Sequence, residues 1–177
     1  MNSIKILLAL IILAGCTSTP EQSSKQNDKL FPDGIYRQRV ELEILKDGEV
    51  KAGFPFSSVS RVENGSFEVL GLTPFGTSAF EAKGHLDHPD QLEIKFFITP
   101  PAFLKKSFIK ESFGQINSLY KLNESDLTKK EDRDFYKNEI LEMEIFKYNK
   151  QSIPTVMKLR SEKWRVYVQT QSYQKLN

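Results

Sequence analysis

Apolar and polar positions alternate along the chain from Ile35. Tyr36, Val40, Leu42 and Ile44 fall on one face at a period of two, the signature of a half-buried strand. Asp47-Gly48 then marks a tight hairpin turn, and Asn64-Gly65 marks another of the same kind. Between them, Val50 to Val62 reads as a strand carrying Phe54, Phe56 and Val59, with Pro55 indicating an edge or a bulge. Phe67 to Leu72 is the next strand, Thr73-Pro74-Phe75-Gly76 breaks it, and Ser78 to Ala82 resumes it. A polar turn, from Gly84 to Gln91, leads to a strand at Leu92–Ile98. Residues 35–98 therefore predict an antiparallel meander of about five or six strands. Such a sheet is apolar on one face and solvated on the other.

The period changes after Pro100-Pro101, which closes the sheet and can open a helix. Leu104, Phe108 and Ser112 share one helical face, with Phe103 and Phe113 beside it. Ile116, Leu119 and Tyr120 extend that face past Gly114, where a kink or break is expected. A second helix is expected from Ser125, a good N-cap, to about Lys137, docked only through Leu127, Phe135 and Tyr136. Strands follow at Leu141–Tyr148, Thr155–Leu159 and Trp164–Thr170. The pattern predicts an α+β fold in which an antiparallel sheet dominates.

The amino-terminal residues follow neither period. Lys5 precedes an apolar run from Ile6 to Leu13, and small residues follow it, as in a secretory signal peptide. The run is too short to span a bilayer, which needs ~20 apolar residues. Leu13-Ala14-Gly15-Cys16 resembles the lipobox of a bacterial lipoprotein signal. The resemblance implies thioether lipidation of Cys16, cleavage before it, and acylation of the new amino terminus. Cys16 is the only cysteine, so no internal disulfide framework exists. Two acyl chains already anchor stably, and the implied modification supplies three. Thr17 stands where Asp would mark inner-membrane retention in the enterobacterial sorting rule. The resemblance therefore implies lipid anchoring at the periplasmic face of the outer membrane. Residues 17–32 are polar and aperiodic and read as a flexible tether. The expected organisation is a signal peptide at 1–15, a lipidated tether at 16–32 and one domain at 33–177.

Loss of residues 1–15 removes one charged side chain, Lys5, so the formal charge falls from +2 to +1. That near-neutral balance argues against a nucleic-acid partner, which would want a basic stripe. His85 and His88 are the only histidines, and they lie close to Asp87 and Asp90. Zinc would accept such donors, but the segment reads as a solvated turn, contains Pro89, and lacks a further donor at a recognisable spacing. No G-x-S-x-G elbow, P-loop or H-E-x-x-H pattern occurs. The mixed-sign run Lys129 to Asp134 reads as a solvated face. No enzyme, resident metal or cofactor is expected. Thirteen Phe residues must fill a core or line an apolar cavity. Phe75, between Pro74 and Gly76, either folds back onto the core or meets a ligand or membrane.

The stretch Phe67-Glu-Val-Leu-Gly-Leu-Thr-Pro-Phe-Gly-Thr-Ser-Ala-Phe-Glu-Ala82 resembles the strand–loop–strand of the LolB family of outer-membrane lipoprotein receptors. That family shows an apolar strand, Asn-Pro-Leu-Gly, and a second strand. Ile153-Pro154-Thr155-Val156-Met157-Lys158-Leu159, with the turn and Trp164 to Asn177 after it, resembles the family's closing strands. Closer still is the likeness to LolB-like envelope lipoproteins that share a Leu-Thr-Pro-hydrophobic-Gly stretch. The resemblance implies an incomplete antiparallel β-barrel, a half-barrel with helices covering its mouth, whose cavity receives acyl chains. It also implies a membrane-insertion loop of Leu72, Pro74, Phe75 and Gly76, with Phe75 matching the family's outward-projecting Leu. The implied partners are the membrane, a lipidated protein or lipid cargo, and a periplasmic carrier protein. Pocket-lining candidates are Phe54, Phe56, Phe67 and Phe80 on the first strands. Phe96, Leu104, Phe108 and Trp164 complete the set. Each buried methylene contributes ~0.8 kcal/mol, so such a cavity could hold an acyl chain without catalytic groups. The alternative is a structural or assembly lipoprotein, a protein-binding module with a filled core.

Overall fold

The computed structural model describes residues 29–99 and 106–176. The order begins with a five-strand meander: β1 Gly34–Lys46, β2 Glu49–Glu63, β3 Ser66–Leu72, β4 Ser78–His85 and β5 His88–Phe96. Helix α1, Lys106–Asn117, follows it. The chain ends in β6 Thr128–Lys129, β7 Asp134–Lys137, β8 Glu142–Tyr148, β9 Pro154–Arg160 and β10 Trp164–Lys175. All ten strands join one antiparallel sheet in the order β5-β4-β3-β2-β1-β10-β9-β8-β7-β6.

The hairpin dipeptides set the register of the meander. Asp47 and Gly48 have φ of 55° and 78°, and Asn64 and Gly65 have φ of 49° and 78°. Two successive left-handed residues define the type I′ turn, whose twist matches that of paired strands. Lys46 therefore faces Glu49, and Glu63 faces Ser66. The segment expected as a polar turn is mostly strand. His85 pairs with His88 and only Leu86-Asp87 turns, so β5 starts well before Leu92.

The α+β half-barrel with helices covering its mouth is not what the chain forms. Among the described residues the protein is mainly β, a single open sheet with one α-helix of 12 residues laid on it. The expected helix at 125–137 is absent. Asn123 starts a single 3-10 turn, with the Asp126 carboxylate accepting from the Asn123 amide. A tight turn closed by Lys130 N–H to Arg133 O then returns the chain as the β6–β7 hairpin. Pairing of β7 with β8 and the Arg133–Glu144 ion pair at 2.8 Å hold this segment flat. The helix α1 runs through Gly114 without a break and ends at Asn117.

The sheet is curved. Val69 on β3 and Met157 on β9 line one compartment, although four strand steps separate them. In a flat sheet that separation would be ~19 Å. The core sits inside this curvature, and Tyr36, Val62, Met143, Ile145 and Trp164 are essentially fully buried. Leu30 and Phe31, at the end of the segment read as a tether, are buried too. The Leu30 amide donates to Leu122 O at 2.8 Å, so packing begins before β1.

Burial holds the Tyr36 hydroxyl protonated far above its ordinary range, with the O–H donating to Pro32 O. Burial likewise pushes the Tyr120 hydroxyl up to about 12. Both pKa values are raised above the unfolded value of about 10. Their contribution to stability is thus full below about pH 10 and is lost as pH rises through the folded values. Alkaline titration should show unfolding by circular dichroism together with the absorbance of the buried tyrosinates, starting at about pH 12 with Tyr120. Titration of every tyrosine near pH ~10 with the fold intact would contradict this.

Candidate functional site

Alternation along the strands and helical spacing in α1 send one set of apolar side chains into the space between them. From β2, Phe54 and Phe56 lie with ring centroids 6.0 Å apart. Phe56 meets Phe80 of β4 edge-on at 5.7 Å, although β3 lies between them. Gly71 of β3 makes this approach feasible. A Cβ there would stand 2.1 Å from Phe80 Cε1. Phe80 in turn meets Phe113 of α1 at 6.2 Å, edge to face. This aromatic chain crosses from sheet to helix.

Around it lies an apolar space in two compartments. The outer one is about 100 Å³ and exposes no polar atom. Phe54, Phe56, Phe80, Phe96, Phe108 and Trp164 all line it, as expected from the sequence. Trp164 also fastens the helix to the sheet, donating from Nε1 to Gln115 Oε1 at 3.1 Å. The inner compartment is about 90 Å³ and shares Val40, Phe56, Phe113, Ile116 and Val166 with the outer one. No charged side chain lines either compartment among the described residues. One expected member is placed elsewhere. Phe67 is buried outside both compartments, packed over Gly84. Leu104 lies outside the described residues, as does the expected lipidation site Cys16.

The lining residues not expected from the sequence are Val40, Leu42, Ala79, Ile98, Ser112, Phe113, Ile116 and Val166. Val40 had a visible signal, since it shares a strand face with Tyr36 and Leu42. Ile98 is exposed as well as lining the outer compartment, which places the opening at the end of β5. The inner lining holds no exposed residue.

Phe75 is 95% exposed, so it does not fold back onto the core. Its loop is held by backbone bonds Gly76 N–H to Thr73 O at 2.9 Å and Thr73 N–H to Thr77 O at 2.8 Å. The Thr73 and Thr77 hydroxyls meet at 2.8 Å. Pro74 takes the second turn position, whose φ it presets, and Gly76 takes the left-handed position at φ 81°. A braced turn thus carries an outward aromatic. Antiparallel alternation places this loop at the same end of the sheet as the close of β5, where Phe97 and Ile98 are exposed.

Comparison with solved structures finds a likeness to the crystal structure of a DUF1329 family protein from Desulfovibrio piger. Sequence identity is 8% and the TM-score 0.33, over 82% of this chain and 87% of that one. No family model matches the sequence, and no curated protein matches it. The resemblance to LolB rests on residues 67–82 and 153–177.

The histidine cluster offers little to a cation. The His85 and His88 rings lie 5.6 Å apart at the close of the β4–β5 hairpin. The Asp87 carboxylate is already paired with Lys121 Nζ at 2.8 Å, which holds its pKa below the ordinary carboxylate value. Among the described residues, no three His, Cys, Asp or Glu side chains group in a way that could hold a metal ion.

Proposed function

We propose that this is an envelope lipoprotein, anchored through Cys16 at the periplasmic face of the outer membrane, that shelters an apolar chain of a lipid or lipidated protein and delivers it to the bilayer. The action is binding and transfer, with no chemical step. A periplasmic carrier protein would supply the cargo. The observation that carries this reading is the outer compartment, lined by apolar side chains apart from Ser112 and opening at the sheet end that also presents Phe75. An exposed Phe gains about 1.5–3 kcal/mol on full burial, enough to bias that end towards a membrane interface. The likeness to the LolB loop points the same way, with Phe75 at the position of the family's Leu.

A second reading has its own support. About 100 Å³ is small beside ligand pockets of about 300–1,000 Å³. A protein-binding module with a nearly filled core would show that size. Saturable binding of a hydrophobic fluorescent probe to the domain, displaced by fatty acid, separates the two. Its absence favours the module.

Phe75→Glu should leave the unfolding midpoint unchanged within the usual ±0.5 kcal/mol of a surface change. It should keep probe binding and lose transfer of bound cargo to liposomes. A drop of many degrees in melting temperature would show that the side chain supports the fold. Cys16→Ser should release the protein from membranes or leave an uncleaved precursor. Continued fractionation with outer membrane after carbonate washing would refute the anchor.

A further inference from the structure

The two compartments differ in one chemical respect. Polar atoms are exposed in the inner compartment and none in the outer one, where Ser112 lines the wall but keeps its Oγ buried and without a partner among the described residues. Gln38, Ser58 and Ser60 line the inner one together with Tyr120, and the first three belong, with Thr170, to a polar row on the inward face of three neighbouring strands. Gln38 on β1 is paired with Ser58 on β2 and Thr170 on β10. All three are more than nine-tenths buried, as is Ser60 one inward position along β2. Gln38 and Ser58 line the inner compartment directly.

Gln38 is the poorly satisfied member of this row. Among the described residues the Gln38 side chain makes one hydrogen bond, Nε2 to Thr170 Oγ1, at a long 3.4 Å. A primary amide has two donor hydrogens and two acceptor lone pairs. A buried polar group without a partner costs about 1–3 kcal/mol, so a core designed only for packing would place an apolar residue there. Val40 and Val168, next along the same face, are such residues.

We propose that the inner compartment receives a single uncharged hydrogen-bonding group of the ligand, a hydroxyl or a carbonyl, while the ligand's apolar body fills the outer compartment. This rests on the apolar-cavity reading above. A hydrocarbon tail entering end-first would press its terminal methyl against Gln38 and Ser58 and leave them dry and unpaired. A neutral polar end meets them. A carboxylate or ammonium would find no countercharge, because neither compartment is lined by an ionised side chain. The favoured ligand therefore carries a small neutral polar group at the end of its apolar body that enters, while any headgroup or attached protein stays outside.

The test measures displacement of a fluorescent probe from the domain by octane, 1-octanol and octanoate. The readout is the ratio of octanol to octane affinity, compared between wild type and Gln38→Leu. The ratio should fall about five- to tenfold in the variant, the size of one hydrogen bond. Octanoate at neutral pH should bind more weakly than octanol in both proteins. If Gln38→Leu does not fold, Ser58→Ala replaces it with the same expected direction. An unchanged or increased ratio overturns the assignment of a polar group to the inner compartment and leaves the apolar-cavity reading standing. Failure of all three ligands to displace the probe, or failure of the probe to bind, overturns both.

Discussion

Trp164→Ala is expected to lower the unfolding free energy by about 3–5 kcal/mol, the range for deleting a buried indole. The side chain is 1% exposed and sits at the first position of β10, opposite Ile44 of β1. Truncation removes its packing and also leaves Gln115 Oε1 without the indole N–H at 3.1 Å. Helix α1 then loses a fixed point on the sheet. The urea midpoint should fall with the slope unchanged, as for a pure stability change. A loss under about 1 kcal/mol would mean that the helix is held mainly elsewhere.

Gly71→Val should abolish probe binding and destabilise the domain by about 1–3 kcal/mol, the usual cost of overpacking. A Cβ at this position meets Phe80 Cε1 at 2.1 Å and Cζ at 2.5 Å. The Phe80 ring must move, and the open space beside it is the outer compartment. The displaced ring would fill the space that a ligand needs. Gly53→Val is the control, because nothing lies within 4 Å of a Cβ built there. Unaltered probe affinity in Gly71→Val would show that the ring moves elsewhere and that the cavity does not depend on it.

The meander was legible because local chemistry dictates it. Asp47-Gly48 and Asn64-Gly65 accept left-handed backbone at both turn positions, and the alternation of Tyr36, Val40 and Leu42 settles which face turns inward. The helix expected after Ser125 failed on a different ground. Ser125-Asp126 looked like a start signal, but Leu127 and Phe135 are eight positions apart with no apolar residue between them. That leaves no i, i+4 stripe for docking, and pairing with β8 prevailed over local propensity. Of the cavity, the aromatic members could be read from strand phase. Phe67 shows the limit: its inward phase was right, but only the neighbouring Gly84 shows that it packs within the core, away from the cavity. The polar row at Gln38 gave no signal, since Ser58 and Thr170 come beside it only through strand pairing.

The position of β10 has a consequence for how the domain comes into being. It lies beside β1, joining Gly34 to Lys175 and Ile44 to Trp164, residues from opposite ends of the domain. A growing chain emerges amino terminus first. The five-strand meander is therefore available early, with its inward face bare and the β1 edge unpaired. Nothing else in the sheet can take that edge until the last strand arrives. Closure of so long a loop is slow, and all-β domains rich in such pairings fold in milliseconds to seconds. Over that interval the meander can pair wrongly with its neighbours. Its safety depends on the speed with which positions 164–175 are delivered, so slowed translation of β10 should favour aggregation more than an equal delay within β1–β5.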